Sequence, residues 1–308
     1  MTRLVLTTLV LEAAFGYPDA LDRRVPHPVT RIGAAISALE RKWNQPERGE
    51  AERRGLGLAT LLLVGGGAAL AGILAVRALK GRKVGRAALA LLATTGLAQR
   101  SLHDHVAAVL HPLERGDLAA ARIAVSRIVG RDTATLDEVG IATAALESLA
   151  ESFNDGVVAP AAWLAFGGLP GLFAYKAVNT ADSMIGHREP RWRSFGWAAA
   201  RTDDLMNLAP ARLAGALIAV AGGRGWSTML GDAPKHASPN AGWPEAAMAG
   251  ALGVRLGGPV RYDGALSDRP IFGDGPPPTA QDLRRGLEIY RRACGLLWLV
   301  TGGLACRR

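Results

Sequence analysis

The clearest hydropathy pattern along the chain is residues 56–76, an apolar run without a charged side chain. A helix rises 1.5 Å per residue, so roughly 20 residues cover the roughly 30 Å hydrocarbon core of a bilayer. The run therefore predicts a transmembrane helix, the strongest in the chain. Gly65, Gly66, Gly67 and Gly72 fall inside it; they would weaken a helix in water but allow helices to approach closely in lipid. Four further apolar runs, 4–11, 87–98, 213–223 and 295–305, are each short of a full span. They predict either spans whose flanking arginines snorkel or buried core helices. Residues 157–178 are apolar but interrupted by Gly167, Gly168, Pro170 and Gly171. Each half is about ten residues, too short to cross alone. The expectation is two half-helices in a re-entrant hairpin, with one kinked spanning helix as the alternative.

Between the apolar runs, residues 117–150 repeat apolar positions at helical spacing, with a helix start expected around Asp132 or Thr133. Residues 259–278, dense in Asp, Gly and Pro, predict a loop. The expected fold class is all-α: a polytopic integral membrane helical protein, one membrane-embedded catalytic domain over 1–308, with charged helical loops carrying the site.

Composition sharpens this picture. Hydrophobic residues make up 49% of the 308 and aromatics only 6%, with 38 glycines, so the apolar mass is Leu, Ala, Val and Gly. That balance excludes a disordered chain and suits closely packed helices better than a β-sandwich. The formal charge of +9 admits nucleic acid, anionic lipid or phosphorylated ligands as partners. Its distribution narrows the choice: Arg41, Lys42, Arg48, Arg53 and Arg54 precede the strongest apolar run and Arg77, Lys80, Arg82, Lys83 and Arg86 follow it. Basic residues at the ends of apolar runs are a membrane-protein pattern, and with no recognition module present nucleic acid is excluded as a partner. The same symmetry leaves the helix unoriented. Cys294 and Cys306 offer neither a disulfide framework nor zinc-ligand spacing. Walker, dinucleotide-fold, α/β-hydrolase and zincin motifs are missing from the sequence.

Several polar constellations could carry chemistry. Glu147, Glu151 and Asp155 recur at i, i+4 and i+8, aligning three carboxylates on one helical stripe. Like charges so placed repel, which points to a divalent metal or to a solvated acidic face. Lys176, Asn179 and Ser183 form a polar stripe beside Asp182 on an otherwise apolar helix, as a ligand pocket with Lys176 contacting phosphate or as an interhelical hydrogen-bond seam. Arg188 follows in GHREPRWR, and RTDDLMN gathers Arg201, Asp203, Asp204 and Asn207. Arg212, inside apolar sequence, calls for an acidic or phosphorylated partner or for snorkelling to the interface. Ser238, Asn240 and Pro244 mark a helix start, a geometry able to hold an anion.

The runs PHPV (26–29), ESLAESFNDGVVAP (147–160), YKAVNTADSMIGH (175–187), FGWAAARTDDLMNLAPARL (195–213), SPNAGWPEAAMAGALGVRLGG (238–258) and DRPIFGDG (268–275) together resemble the adenosylcobinamide-phosphate synthase family of cobalamin biosynthesis. The resemblance covers nearly the whole chain in the family's order. The family commonly reads Glu-Asn ahead of the Asp-Gly pair; here Ser152 follows Glu151, while Asp155-Gly156 matches. The resemblance implies an integral membrane ligase that joins a carboxylate of adenosylcobyric acid to an aminopropanol or its phosphate, using ATP, to give adenosylcobinamide or its phosphate. It implies a location in the cell's inner membrane with the active site facing the cytoplasm, and membrane lipid and a corrinoid as partners. Carboxylate activation calls for magnesium (Mg2+) ligands and cationic phosphate contacts, and amine attack calls for a base. Asp155, Asp182, Asp203 and Asp204 are the catalytic candidates. Lys176, Asn179, Ser183, Arg188, Arg201, Arg212 and Asn240 are the candidates for holding ATP, and Glu147, Glu151 and Asp155 those for Mg2+. A non-enzymatic transporter or scaffold for corrinoid intermediates is the alternative.

Overall fold

Glycine sets how closely the longest apolar helix can be approached. The computed structural model describes residues 2–17, 26–262 and 264–306. In it the 56–76 run lies within α3 (Glu50–Leu79), after α1 (Thr2–Phe15) and α2 (Pro28–Trp43) and before α4 (Gly85–Thr94). Glu50 and Glu52 in its first turn and Arg77 in its last suit the helix dipole. Gly57, Gly65 and Gly72 share its buried face. A Cβ at Gly57 would lie 1.8 Å from the Phe195 carbonyl oxygen and one at Gly72 2.7 Å from the Pro170 backbone, so only glycine permits this contact. Leu62, Leu63, Leu70 and Leu74 remain exposed on the same helix.

The chain gathers into two compact units where the sequence suggested one domain. The first comprises Met1–Ala98, Ala159–Asn207 and Thr301–Arg308, the second Gln99–Val158 and Leu208–Val300. Because each is assembled from separated segments, no change in composition along the chain marks the division. Among the described residues, Glu50–Leu79, Glu138–Ile185 and Trp197–Gly222 are long and apolar enough to cross a membrane. The short apolar run 213–223 is thus the end of a longer helix that starts among charged residues.

In the first unit, His27 caps α2, its Nδ1 accepting from the Val29 N–H at 3.3 Å with Pro28 at the first helical position. The helix α8 (Ala159–Ile185) breaks at Gly168, whose φ of 63° and ψ of −157° are open to glycine and strained for other residues. A Cβ at Gly171 would sit 2.8 Å from the Trp163 carbonyl oxygen, eight residues earlier. Trp163 donates to the Met206 carbonyl at 3.1 Å, and Tyr175 donates to Asn207 at 3.1 Å. In a straight helix residues 163 and 175 would be roughly 18 Å apart; here both reach adjacent positions of α9 (Trp197–Gly222). The chain therefore bends sharply back at the glycine and proline cluster.

The second unit holds α5 (Gln99–Glu114), α6 (Leu118–Val125), α7 (Glu138–Phe153), a π-helical turn (Asn154–Val158), the latter part of α9, α10 (Trp226–Asp232), α11 (Gly242–Leu252) and most of α12 (Ala280–Cys306). The cap of α7 is Asp137, accepting from the Gly140 N–H at 2.8 Å, not Asp132 or Thr133. Asp132 instead accepts from the Gly264 N–H at 2.8 Å. That contact fastens the 259–278 stretch, which carries short antiparallel ladders rather than bare loop. Strands β1 (Leu256–Gly257) and β4 (Ile271–Phe272) pair with Leu256 opposite Phe272, and β2 (Val260–Tyr262) and β3 (Ala265–Ser267) with Arg261 opposite Leu266.

Candidate functional site

In the first unit, the polar positions of YKAVNTADSMIGH and RTDDLMN meet. Asp203 and Asn207 are one turn apart on α9, hence on one face, and that face meets α8. Asn179 donates to Asp203 Oδ1 at 3.3 Å and Asn207 donates to Oδ2 at 2.9 Å, so both carboxylate oxygens are held by amides. Tyr175 donates to Asn207 at 3.1 Å, and Lys176 Nζ lies 3.3 Å from Asn179 Oδ1. Tyr175, Asn179, Asp203 and Asn207 are all buried while Lys176 is half-buried. The Asn179 contact is an interhelical seam, yet Lys176 also borders an apolar groove of about 530 Å³ that includes Ile32, Leu63, Val64 and Phe173. Ser183 is exposed and donates to the Asn179 carbonyl at 2.9 Å. Asp204, the next residue on the helix, is half-buried and pairs with Arg201 at 3.1 Å. Asp182 is half-buried at the end of α8 and Arg188 is exposed just beyond it.

In the second unit the acidic stripe meets arginine. Glu147 is buried; its Oε2 pairs with Arg131 and, at 3.0 Å, with Arg269, while its Oε1 accepts from the Gly257 N–H at 2.7 Å. Arg269 also reaches the fully buried Glu245 at 3.1 Å. His236 Nε2 is 3.4 Å from Arg269 and 4.0 Å from Glu245. Among the described residues no three His, Cys, Asp or Glu side chains converge to hold a metal ion. The expected stripe is thus relieved at Glu147 by two guanidiniums. Glu151 is exposed at a cleft, and Asp155 accepts from Asn154 at 2.7 Å in the π turn. Arg212 and Asn240, both proposed from sequence, do come together at 3.0 Å, and the Arg212 guanidinium stacks 4.5 Å over Trp243.

Arg131, Glu245, His236 and Arg269 were not foreseen as site residues. Glu245 is the one acid in an Ala-rich helix and Arg269 is the second residue of DRPIFGDG, but nothing in their spacing pairs them. Arg269 is positioned by the turn that comes after it. Gly273, at a φ of 75°, donates its N–H to Asp232 at 2.7 Å, and Lys235 pairs with the same carboxylate at 2.6 Å. Burial opposes the Asp232 charge, but these two contacts outweigh it and hold the carboxyl below its ordinary value. Burial likewise opposes the Arg269 charge, and Glu147 and Glu245 more than offset it.

Burial, reinforced by the Glu147 charge, pushes the Glu245 carboxyl well above the usual glutamate range, against the pull of Arg269. The folded chain then holds a proton that the unfolded chain releases. Glu245 accordingly stabilises the fold fully below the unfolded-state value, and that contribution is lost as pH rises through the folded-state value. As pH rises above the ordinary glutamate range, the unfolding midpoint of the native protein should fall more steeply than that of Glu245→Gln. Parallel profiles in detergent would show that Glu245 is ionised throughout.

With this geometry in view, the comparisons with known proteins decide the family. A family model described as CobD/Cbib protein matches residues 5–290. The chain belongs to the CobD/Cbib family. A cobalamin biosynthesis protein CobD of Rhodobacter capsulatus is 49% identical over 306 residues, 98% of this chain and 96% of that protein. Proteins of the same name from Sinorhizobium sp and Geobacter metallireducens are each 46% identical, over 308 and 309 residues. No solved structure matches the chain. The CobD/Cbib match spans both units, so the Asp203 network and the Arg269 network both lie within the family region. The relatives that the chain matches carry the name of a cobalamin biosynthesis protein.

Proposed function

We propose that the chain is a membrane-bound ligase that forms an amide between a carboxylate of adenosylcobyric acid and an aminopropanol or its phosphate, at the expense of ATP. The observation that carries this is the Asp203 network, a buried carboxylate fixed by two amide side chains with a lysine one contact away. In the reaction a phosphoryl group from ATP joins the corrinoid carboxylate to give an acyl phosphate and ADP. The amine nitrogen then attacks the carbonyl carbon, phosphate leaves, and one proton is lost from nitrogen. Asp203 is oriented to take that proton, while Lys176 supplies positive charge where the acyl phosphate and the developing oxyanion carry negative charge. Asp182 and Ser183 on α8, Arg188 just after it, and Arg201 and Asp204 on α9 supply further charge and polarity on the same two helices and the segment between them. Arg212 and Asn240 form a separate anion contact for the nucleotide.

The Glu147 stripe does not fit magnesium, since arginines and a backbone N–H already take the Glu147 oxygens. Magnesium carried on nucleotide phosphates needs no dedicated protein cage. ATP supply favours an active site facing the cytoplasm from the inner membrane. The exposed leucines of α3 then meet lipid, and α8, bent at Gly168, is read as a re-entrant hairpin.

The test is to supply purified protein in detergent with ATP, magnesium, adenosylcobyric acid and either amine, and to measure amide product and nucleotide together. Amide formation with ADP released only when corrinoid and amine are both present is the expected result. Corrinoid binding without any nucleotide turnover would replace the ligase by a carrier or scaffold.

A further inference from the structure

At the start of α3, arginines outnumber the carboxylates that could answer them. A cavity of about 600 Å³ in the first unit is walled by Glu40, Arg41 and Asn44 at the end of α2, Arg53 in the first turn of α3 and Arg191 in the segment between α8 and α9. Asn44 joins the three. Its Nδ2 donates to Glu40 Oε1 and to the Arg191 carbonyl, each at 3.1 Å, and its Oδ1 accepts from Arg53 Nε at 2.7 Å. Arg53 Nη2 donates to the same Arg191 carbonyl, and Arg191 Nη2 donates to Glu40 Oε1 at 3.0 Å. Glu40 and Asn44 are buried, so the floor of the cavity is fixed by the fold.

The charges in this wall do not balance. It holds three guanidiniums and one carboxylate, and that carboxylate is already paired with Arg191. Arg53 is half-buried with neutral oxygens as its acceptors, and Arg41 has no ion-pair partner among the described residues. A guanidinium drawn part-way out of water without a counter-charge is costly, and its remaining N–H groups suit an anion.

The depth of the cavity indicates which anion. The uncharged run of α3 begins at Leu56, three residues or about 4.5 Å beyond Arg53. With α3 across the bilayer, the cavity stands at the level of the lipid headgroups. Trp192 and Trp197 lie at the same end, with the guanidinium of Arg191 4.6 Å over the first ring and that of Arg54 5.1 Å over the second. Tryptophan collects at membrane interfaces, and a basic pocket beside a spanning helix at that depth suits a lipid phosphate.

We propose that this cavity binds the phosphate of an anionic phospholipid between Arg41, Arg53 and Arg191. The site goes beyond the ligase reading and does not depend on it. A headgroup that carries its own ammonium brings no net charge to a wall with two cations in excess, so phosphatidylglycerol is the expected occupant over phosphatidylcholine.

Calorimetric titration of the full-length protein in neutral detergent with short-chain phosphatidylglycerol, short-chain phosphatidylcholine and inorganic phosphate tests the assignment and separates lipid from free phosphate. Phosphatidylglycerol should bind about 10-fold more tightly than either of the others, and Arg53→Gln should weaken it by about the same factor. Arg53 also holds Asn44, so Arg41→Gln is the second variant; its guanidinium makes no ion pair in the fold, and its loss should weaken binding about 5-fold. Arg82→Gln combined with Lys83→Gln removes two exposed cations beyond the opposite end of α3 and should leave the affinity within about 2-fold of native. Equal binding of the two lipids, no lipid binding, or native affinity in a folded Arg53→Gln or in Arg41→Gln overturns the proposal. An equal loss in the Arg82→Gln, Lys83→Gln protein also overturns it, since the attraction is then one of net charge. Arg53-dependent binding of inorganic phosphate as tight as that of phosphatidylglycerol assigns the cavity to free phosphate and overturns the lipid source.

Discussion

Glu147→Gln is expected to cost the fold about 3–5 kcal/mol, the usual consequence of breaking a buried ion pair by removing one partner. The charge left behind explains the size. A buried glutamate can escape by taking a proton, but a guanidinium stays charged at any accessible pH. Arg131, with 8% of its side chain exposed, would keep its charge with its ion-pair partner gone, and the Gly257 N–H would lose a charged acceptor. Arg269 would retain Glu245 alone, a residue whose own burial favours its neutral form. The double variant Arg131→Gln with Glu147→Gln should recover part of the loss, because it removes the orphaned charge with its partner. The measurement is thermal unfolding of the three proteins in one detergent. Were Glu147 a magnesium ligand instead, Glu147→Gln would fold as well as the native chain and differ only in its response to metal.

The contrast between the two units shows what a sequence can disclose. The apolar run of α3, its glycines and the broken segment at Gly168 were legible because their causes are local: hydropathy, missing side chains and a proline act within a turn or two. Asp203 with Asn207 was legible for the same reason, as i and i+4 share a helix face. Their meeting with Asn179, on another helix, is shown only by the structure. The Arg269 network was not legible. Its bonds join residues 24 and 122 positions apart, and no periodicity encodes a partner at such separations. The acidic stripe misled because spacing shows that carboxylates align, and not what neutralises them. Arg131 performs that neutralisation from a loop 16 residues upstream. The start of α7 moved from Asp132 to Asp137 because both are competent caps, and the β2–β3 ladder drew Asp132 to Gly264. The strands in 259–278 are too short for alternation to show.

Asp203→Asn should lower turnover by ~10² to 10⁴-fold, the range that a positioned proton acceptor contributes, with little change in the unfolding midpoint. Asparagine keeps the shape of the side chain and one acceptor oxygen, but replaces the other oxygen by an NH₂ group that faces an amide donor already in place. Asn207 can turn its own amide to meet it, the Tyr175 hydroxyl then accepting where it donated, so the contacts of residue 203 are kept while its negative charge is lost. A stable variant without activity therefore isolates the charge from the packing. The loss should appear in kcat rather than in KM for the corrinoid, since a proton acceptor acts in the transition state more than in binding. Raising the pH in the assay should restore part of the activity, because hydroxide can then take the proton that the attacking nitrogen loses. A structural carboxylate predicts the opposite pairing, a lowered unfolding midpoint with turnover near that of the native protein and no rescue by pH. Asn179→Ala and Asn207→Ala should each lose less than Asp203→Asn, since either leaves the charge in place and removes only one of the two contacts that orient it.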